Sequence, residues 1–68
     1  MFNPDDYTYY CVWSEEDEEY ACTVVEFPSV YCLAATREEA LARAKVNVSQ
    51  DLAIMKRLGE TPPQPQKE

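Results

Sequence analysis

Histidine is absent from this chain of 68 residues, and glycine occurs once, at Gly59. The first absence removes the commonest general base and metal ligand. The second removes any glycine-rich loop able to cradle a phosphate. No run approaches the roughly 20 apolar residues that a membrane span requires. Basic residues are few, six against thirteen acids, for a net charge of −7. That field repels phosphate backbones, disfavours direct DNA or RNA binding, and steers the chain toward a basic partner. The amino terminus, MFNPDDYTYY, has neither a basic region nor an apolar run, so export is not expected and a cytoplasmic location is. The cysteines number three, Cys11, Cys22 and Cys32, with no C-x-x-C pair. An odd count argues against a secreted disulfide framework and predicts reduced thiols packed as small apolar side chains.

What is present divides into a short lead-in (1–6), one small domain (7–59) and a proline-rich tail (60–68). A single domain of this size buries only about 60% of its unfolded surface, which makes self-association an attractive source of further burial. Tyr7–Trp13, YTYYCVW, has the aromatic and β-branched content of a strand. Both of its faces are apolar, so something is expected to cover part of the second. Ser14–Glu19, SEEDEE, suits a charged hairpin loop, and Glu19–Val25 a second strand. Glu26-Phe27-Pro28-Ser29 interrupts the pattern, because proline cannot donate to a ladder, and Val30–Leu33 reads as a third strand. Neighbouring strands at this spacing form an antiparallel meander.

A long helix follows. Thr36 and Glu39 make a T-x-x-E capping box at its start, and Gly59 supplies a left-handed cap at its end. Leu41, Ala44, Val48, Leu52 and Met55 fall on one narrow stripe that should face the core, together with Trp13 from the first strand. Val46 and Ile54 lie off that stripe and could form a partner-facing seam. The tail, with three prolines in nine residues, should be extended and mobile. The fold class predicted is therefore α+β: three antiparallel strands, then one helix packed on the sheet (βββα).

Catalytic and metal-binding residues are not expected. Glu15, Glu16, Asp17, Glu18 and Glu19 could hold a divalent ion only loosely from a flexible loop, since a catalytic site needs ligands fixed by separate elements. They read better as a solvated docking surface, and no cofactor is implied.

Read in order, the aromatic strand ending Trp13-Ser14-Glu15-Glu16-Asp17, the strand from Tyr20, the Glu26-Phe27-Pro28 turn, the Ala35-Thr36-Arg37-Glu38-Glu39-Ala40-Leu41 helix start and Gly59-Glu60-Thr61-Pro62-Pro63 resemble the HicB family. This is the antitoxin half of HicA/HicB toxin–antitoxin pairs. The resemblance implies a partial RNase H-like fold, in which a short fourth strand can follow the helix, dimers or higher oligomers, and a basic, RNA-cleaving HicA-like toxin as the protein partner. In that family a separate domain binds operator DNA; it has no counterpart in these residues, so direct nucleic-acid binding is not carried over. Two further departures stand out. Glu18 occupies the position of a hairpin glycine, so that turn must differ or be longer, and Ser29 that of the glycine after the E-x-P turn, which argues against a positive φ at Ser29. The function expected is thus a non-enzymatic module that masks a basic toxin. The alternative is an orphan homo-oligomeric scaffold or inhibitor of the same family with no toxin partner.

Overall fold

The computed structural model describes residues 3–66. Residues 1–2 and 67–68, the outermost parts of the expected loose termini, lie outside the described residues. A single 3-10 turn, Pro4–Asp6, leads into β1 (Tyr9–Ser14), β2 (Glu19–Val24), β3 (Phe27–Ala34) and α1 (Arg37–Leu58). The strands form one antiparallel sheet in the order β1-β2-β3, so the α+β, βββα arrangement predicted from the sequence is the one present. The tail contributes no fourth strand among the described residues.

Register follows from the hairpin. Cys11 opposes Cys22, Val12 opposes Ala21 and Trp13 opposes Tyr20. Because side chains alternate faces, Tyr9, Cys11, Tyr20, Cys22, Val24, Cys32 and Ala34 turn toward the helix and join or flank the core. β3 is longer than the apolar run Val30–Leu33 suggested, reaching back to Phe27. Its register jumps from Val24↔Phe27 to Thr23↔Tyr31, and the extra residues, Pro28 among them, bulge from an edge strand where a missing N–H is tolerated.

The helix covers the inner face. Ala40, Ala44 and Val48 are completely buried, and Leu41, Leu52 and Met55 pack against the core as partly buried neighbours. The contact row thus runs through small residues, which lets the helix lie close to the sheet. Thr36 caps the start, its Oγ1 accepting from Glu39 N at 3.1 Å. The reciprocal half of the expected box is replaced: the Glu39 carboxylate lies 3.7 Å from Arg43, one turn on. Gly59 closes the helix at φ 74°, with Glu60 N donating to Met55 O at 2.8 Å, a Schellman arrangement.

Two expectations are corrected. Trp13 is not in the core but 50% exposed. It stands at the hairpin end of an edge strand, supported on one side by an edge-to-face contact with Tyr20 (5.2 Å between centroids) and by no strand on the other. The cysteines, expected as three separate reduced thiols, do occupy three strands, but the β1–β2 register sets Cys11 against Cys22 and the two are joined as a disulfide. Cys32 remains a free, buried thiol.

Candidate functional site

Three surfaces carry the residues singled out from the sequence. The first is the β1–β2 turn. Glu15, Glu16, Asp17 and Glu18 are exposed, and Glu19 begins β2 half-buried. Glu18 takes the left-handed conformation (φ 54°) that a glycine would adopt without cost. The turn therefore holds a left-handed residue without a glycine. Ser29 has no positive φ, in keeping with its side chain. Ser14 Oγ donates to Asp17 Oδ2 at 3.1 Å and fastens the loop to the end of β1. Among the described residues the ion pairs are Arg43–Glu39 and Lys45–Asp5, so no cation neutralises this loop.

The second surface is the outer face of the sheet, the face away from the helix. Two cross-strand rows cross it: Tyr10–Thr23–Tyr31 and Val12–Ala21–Leu33. Tyr10, Val12 and Tyr31 are each more than half exposed, whereas Ala21 is buried between its larger neighbours. No element of the described chain covers these rows, because α1 lies on the opposite side. The acidic turn joins β1 and β2, two of the three strands these rows cross, so anionic charge borders an apolar patch.

The third surface is the outside of α1. Val46 and Ile54 are exposed, two turns and about 12 Å apart along the axis. Val46 faces a groove toward β3 that Leu33, Ala42 and Arg43 also line; Ile54 is not among its lining residues. The structure therefore places both side chains on the surface but does not gather them into one seam.

A fourth cluster was read from the sequence only as a turn. Glu26 is buried, and its carboxylate accepts from Thr8 N (3.0 and 3.2 Å), Thr8 Oγ1 (3.1 Å) and Gln66 N (2.7 Å). Burial works against its charge, but the amides of Gln66, Thr8 and Glu26 itself, with the Thr8 hydroxyl, prevail and hold the carboxyl below the usual glutamate range. Tyr7 beside it is completely buried, meets Phe27 edge-to-face at 5.0 Å and donates its hydroxyl to Pro63 O at 2.9 Å. Burial, then the charges of Glu26 and Asp6, raise its phenol. The neighbouring Tyr9 donates to Pro4 O at 2.6 Å and is pushed up to about 12 by burial, Asp5, Glu26 and Tyr7. The tail that composition marked as mobile is thus extended but tethered, at Pro63 and at Gln66. The signal missed was a lone glutamate between two strands, with a threonine and a tyrosine just upstream of the first.

Among the described residues, no group of three or more Cys, Asp or Glu side chains is arranged to hold a metal ion, and no helix is long and apolar enough to cross a membrane. Comparison with known proteins returns no matching family model, no matching curated protein and no matching solved structure.

Proposed function

We propose that this chain is a non-enzymatic protein-binding module, a HicB-like antitoxin that masks a small basic RNA-cleaving toxin in the cytoplasm. The observation that carries the reading is the uncovered outer sheet face, Tyr10, Val12 and Tyr31, bordered by an acidic turn that has no ion-pair partner among the described residues. An apolar centre with a charged margin is how protein interfaces are built: the centre supplies burial, and the margin speeds encounter with an oppositely charged surface. The rigid sheet presents that patch with little ordering left to do on binding. The chain contacts no nucleic acid directly in this reading, and its effect on RNA is through the protein it covers. A cytoplasmic setting is compatible with the Cys11–Cys22 bond if that bond is transient, as disulfides there usually are.

Co-expression with a short basic protein encoded beside its gene tests the proposal. The expected result is a complex that co-purifies at low salt, forms more slowly as salt is raised, and lacks the RNA cleavage of the free partner. A partner that remains free and active contradicts it.

The same face supports a second reading, a homo-oligomeric scaffold or inhibitor with no toxin partner, in which a second copy covers Tyr10, Val12 and Tyr31. Sedimentation of the purified chain separates the two. A stable dimer that excludes basic proteins favours the scaffold; a monomer or small oligomer that still binds them favours the antitoxin.

A further inference from the structure

The three cysteines stand in one row across the sheet: Cys11 opposes Cys22, and Cys22 opposes Cys32. Directly opposed residues share a face, with Cβ atoms about 4.5–5.5 Å apart. Here it is the inner face, since Cys22 and Cys32 belong to the core and Cys11 packs against it. The strand order puts β2 in the middle. Cys32 therefore approaches Cys22 from the side opposite Cys11, the disulfide partner. Exchange at a disulfide needs that layout: an attacking thiolate, a central sulfur and a leaving sulfur on the far side.

We infer that the row is a disulfide relay, and that Cys11 is the surface thiol it exposes. The Cys32 thiolate attacks Cys22 Sγ. The Cys22–Cys32 bond forms, the Cys11–Cys22 bond breaks, and the bonding pair leaves on Cys11. The proton given up by Cys32 is replaced by one taken up, through water, at Cys11. One disulfide replaces another, so no oxidant or reductant is consumed. Asn47 Nδ2 donates to Cys32 Sγ at 3.6 Å and fixes that sulfur at the far end of the row. Both Cys32 and Asn47 line the groove between β3 and α1.

The two ends of the row differ in what they meet. Cys32 is buried between β3 and α1, whereas Cys11 is half-buried on the edge strand. The groove at Cys11 is lined also by Tyr9, Arg37, Leu41 and Lys45, and by Asp5, which pairs with Lys45 at 2.9 Å. The relay therefore carries the reactive group from beneath the helix to a groove of mixed charge on the β1 edge. The ligand class that suits this groove is a small hydrophilic disulfide able to reach the half-buried Cys11. Attack by the Cys11 thiolate on such a molecule forms a mixed disulfide on Cys11 and releases the other half as a thiolate.

Glutathione disulfide is the probe. Folded protein purified without reductant is incubated with it, quenched in acid and mapped by peptide mass spectrometry. The relay predicts glutathione on Cys11 together with a Cys22–Cys32 bond, and no adduct in Cys32→Ser, where Cys11–Cys22 stays locked. An adduct confined to Cys32 beside an intact Cys11–Cys22 bond overturns the inference, as does no adduct at all in the unmodified chain. Cys11→Ser reads the inner half of the row separately: it should close a Cys22–Cys32 bond on the same treatment, and a folded variant that leaves both thiols free also overturns it.

Discussion

The two ends of the sheet use the same kind of side chain in opposite ways. At one end a single carboxylate, Glu26, is buried and accepts hydrogen bonds from Thr8, just ahead of β1, and from the C-terminal tail. At the other, the carboxylates of Glu15, Glu16, Asp17 and Glu18 are all exposed, and none has an ion-pair partner among the described residues. The difference lies in backbone donors. Two amides and a hydroxyl converge on Glu26, so its charge is worth more folded than unfolded. The hairpin offers its acids mostly water, so their charge contributes field rather than stability. Residue type says little here; the donors around it decide whether an acid holds the molecule together or faces outward.

Breaking the tied end should produce the largest effect. Glu26→Ala strands the amides of Thr8 and Gln66 and should cost about 3 kcal/mol in chemical denaturation, with Glu26→Gln costing roughly half that. The pH dependence sharpens the contrast. The Glu26 carboxyl lies lower in the folded chain than its ordinary 4.5, so its contribution is complete above that value and is lost as pH falls through the lowered folded one. Glu26→Gln should flatten this acid limb, whereas replacing the hairpin acids should leave it in place. At alkaline pH the signs reverse. The phenols of Tyr7 and Tyr9 are raised, Tyr9 to about 12, so stability holds below 10 and declines as pH climbs from 10 toward 12. Tyr7→Phe removes the bond to Pro63 while keeping the ring against Phe27, and should cost about 1 kcal/mol and quicken proteolysis of the tail.

The open end should respond weakly in stability and strongly in association. Glu18→Gly relieves a left-handed non-glycine residue and should raise the midpoint by the equivalent of about 0.5–1 kcal/mol, the gain tempered by a looser unfolded chain. Replacing Glu15, Glu16, Asp17 and Glu18 together by glutamine should shift stability by less than about 0.5 kcal/mol. It should nonetheless slow association with a basic partner and reduce the salt dependence of that rate, measured by stopped flow.

Local signals made most of the architecture readable. Thr36 and Gly59 bracket the helix because capping is settled by one or two residues, and the spacing of Ala44 and Val48 marks the buried stripe. The strands were legible as segments but not as partners. Nothing in the spacing of Cys11, Cys22 and Cys32 reveals that they fall in one row, because the row depends on both hairpin registers at once. Trp13 was misplaced because alternation assigns a face without saying how far the covering helix extends. Glu26 and Gln66 are 40 residues apart, and their bond exists only once the tail crosses the end of the sheet. For the surface, the two-sided apolar character of β1 was the informative sign, and the uncovered rows through Tyr10 and Val12 are its structural counterpart.

The most direct test of the uncovered face as a binding surface is Tyr31→Glu, which places a charge on its apolar rows without touching the core. Binding to the co-expressed basic protein is compared by calorimetry with that of the unmodified chain, alongside thermal melts of both. The account predicts an unchanged melting midpoint with affinity reduced at least tenfold. Equal affinity in the two proteins would contradict it.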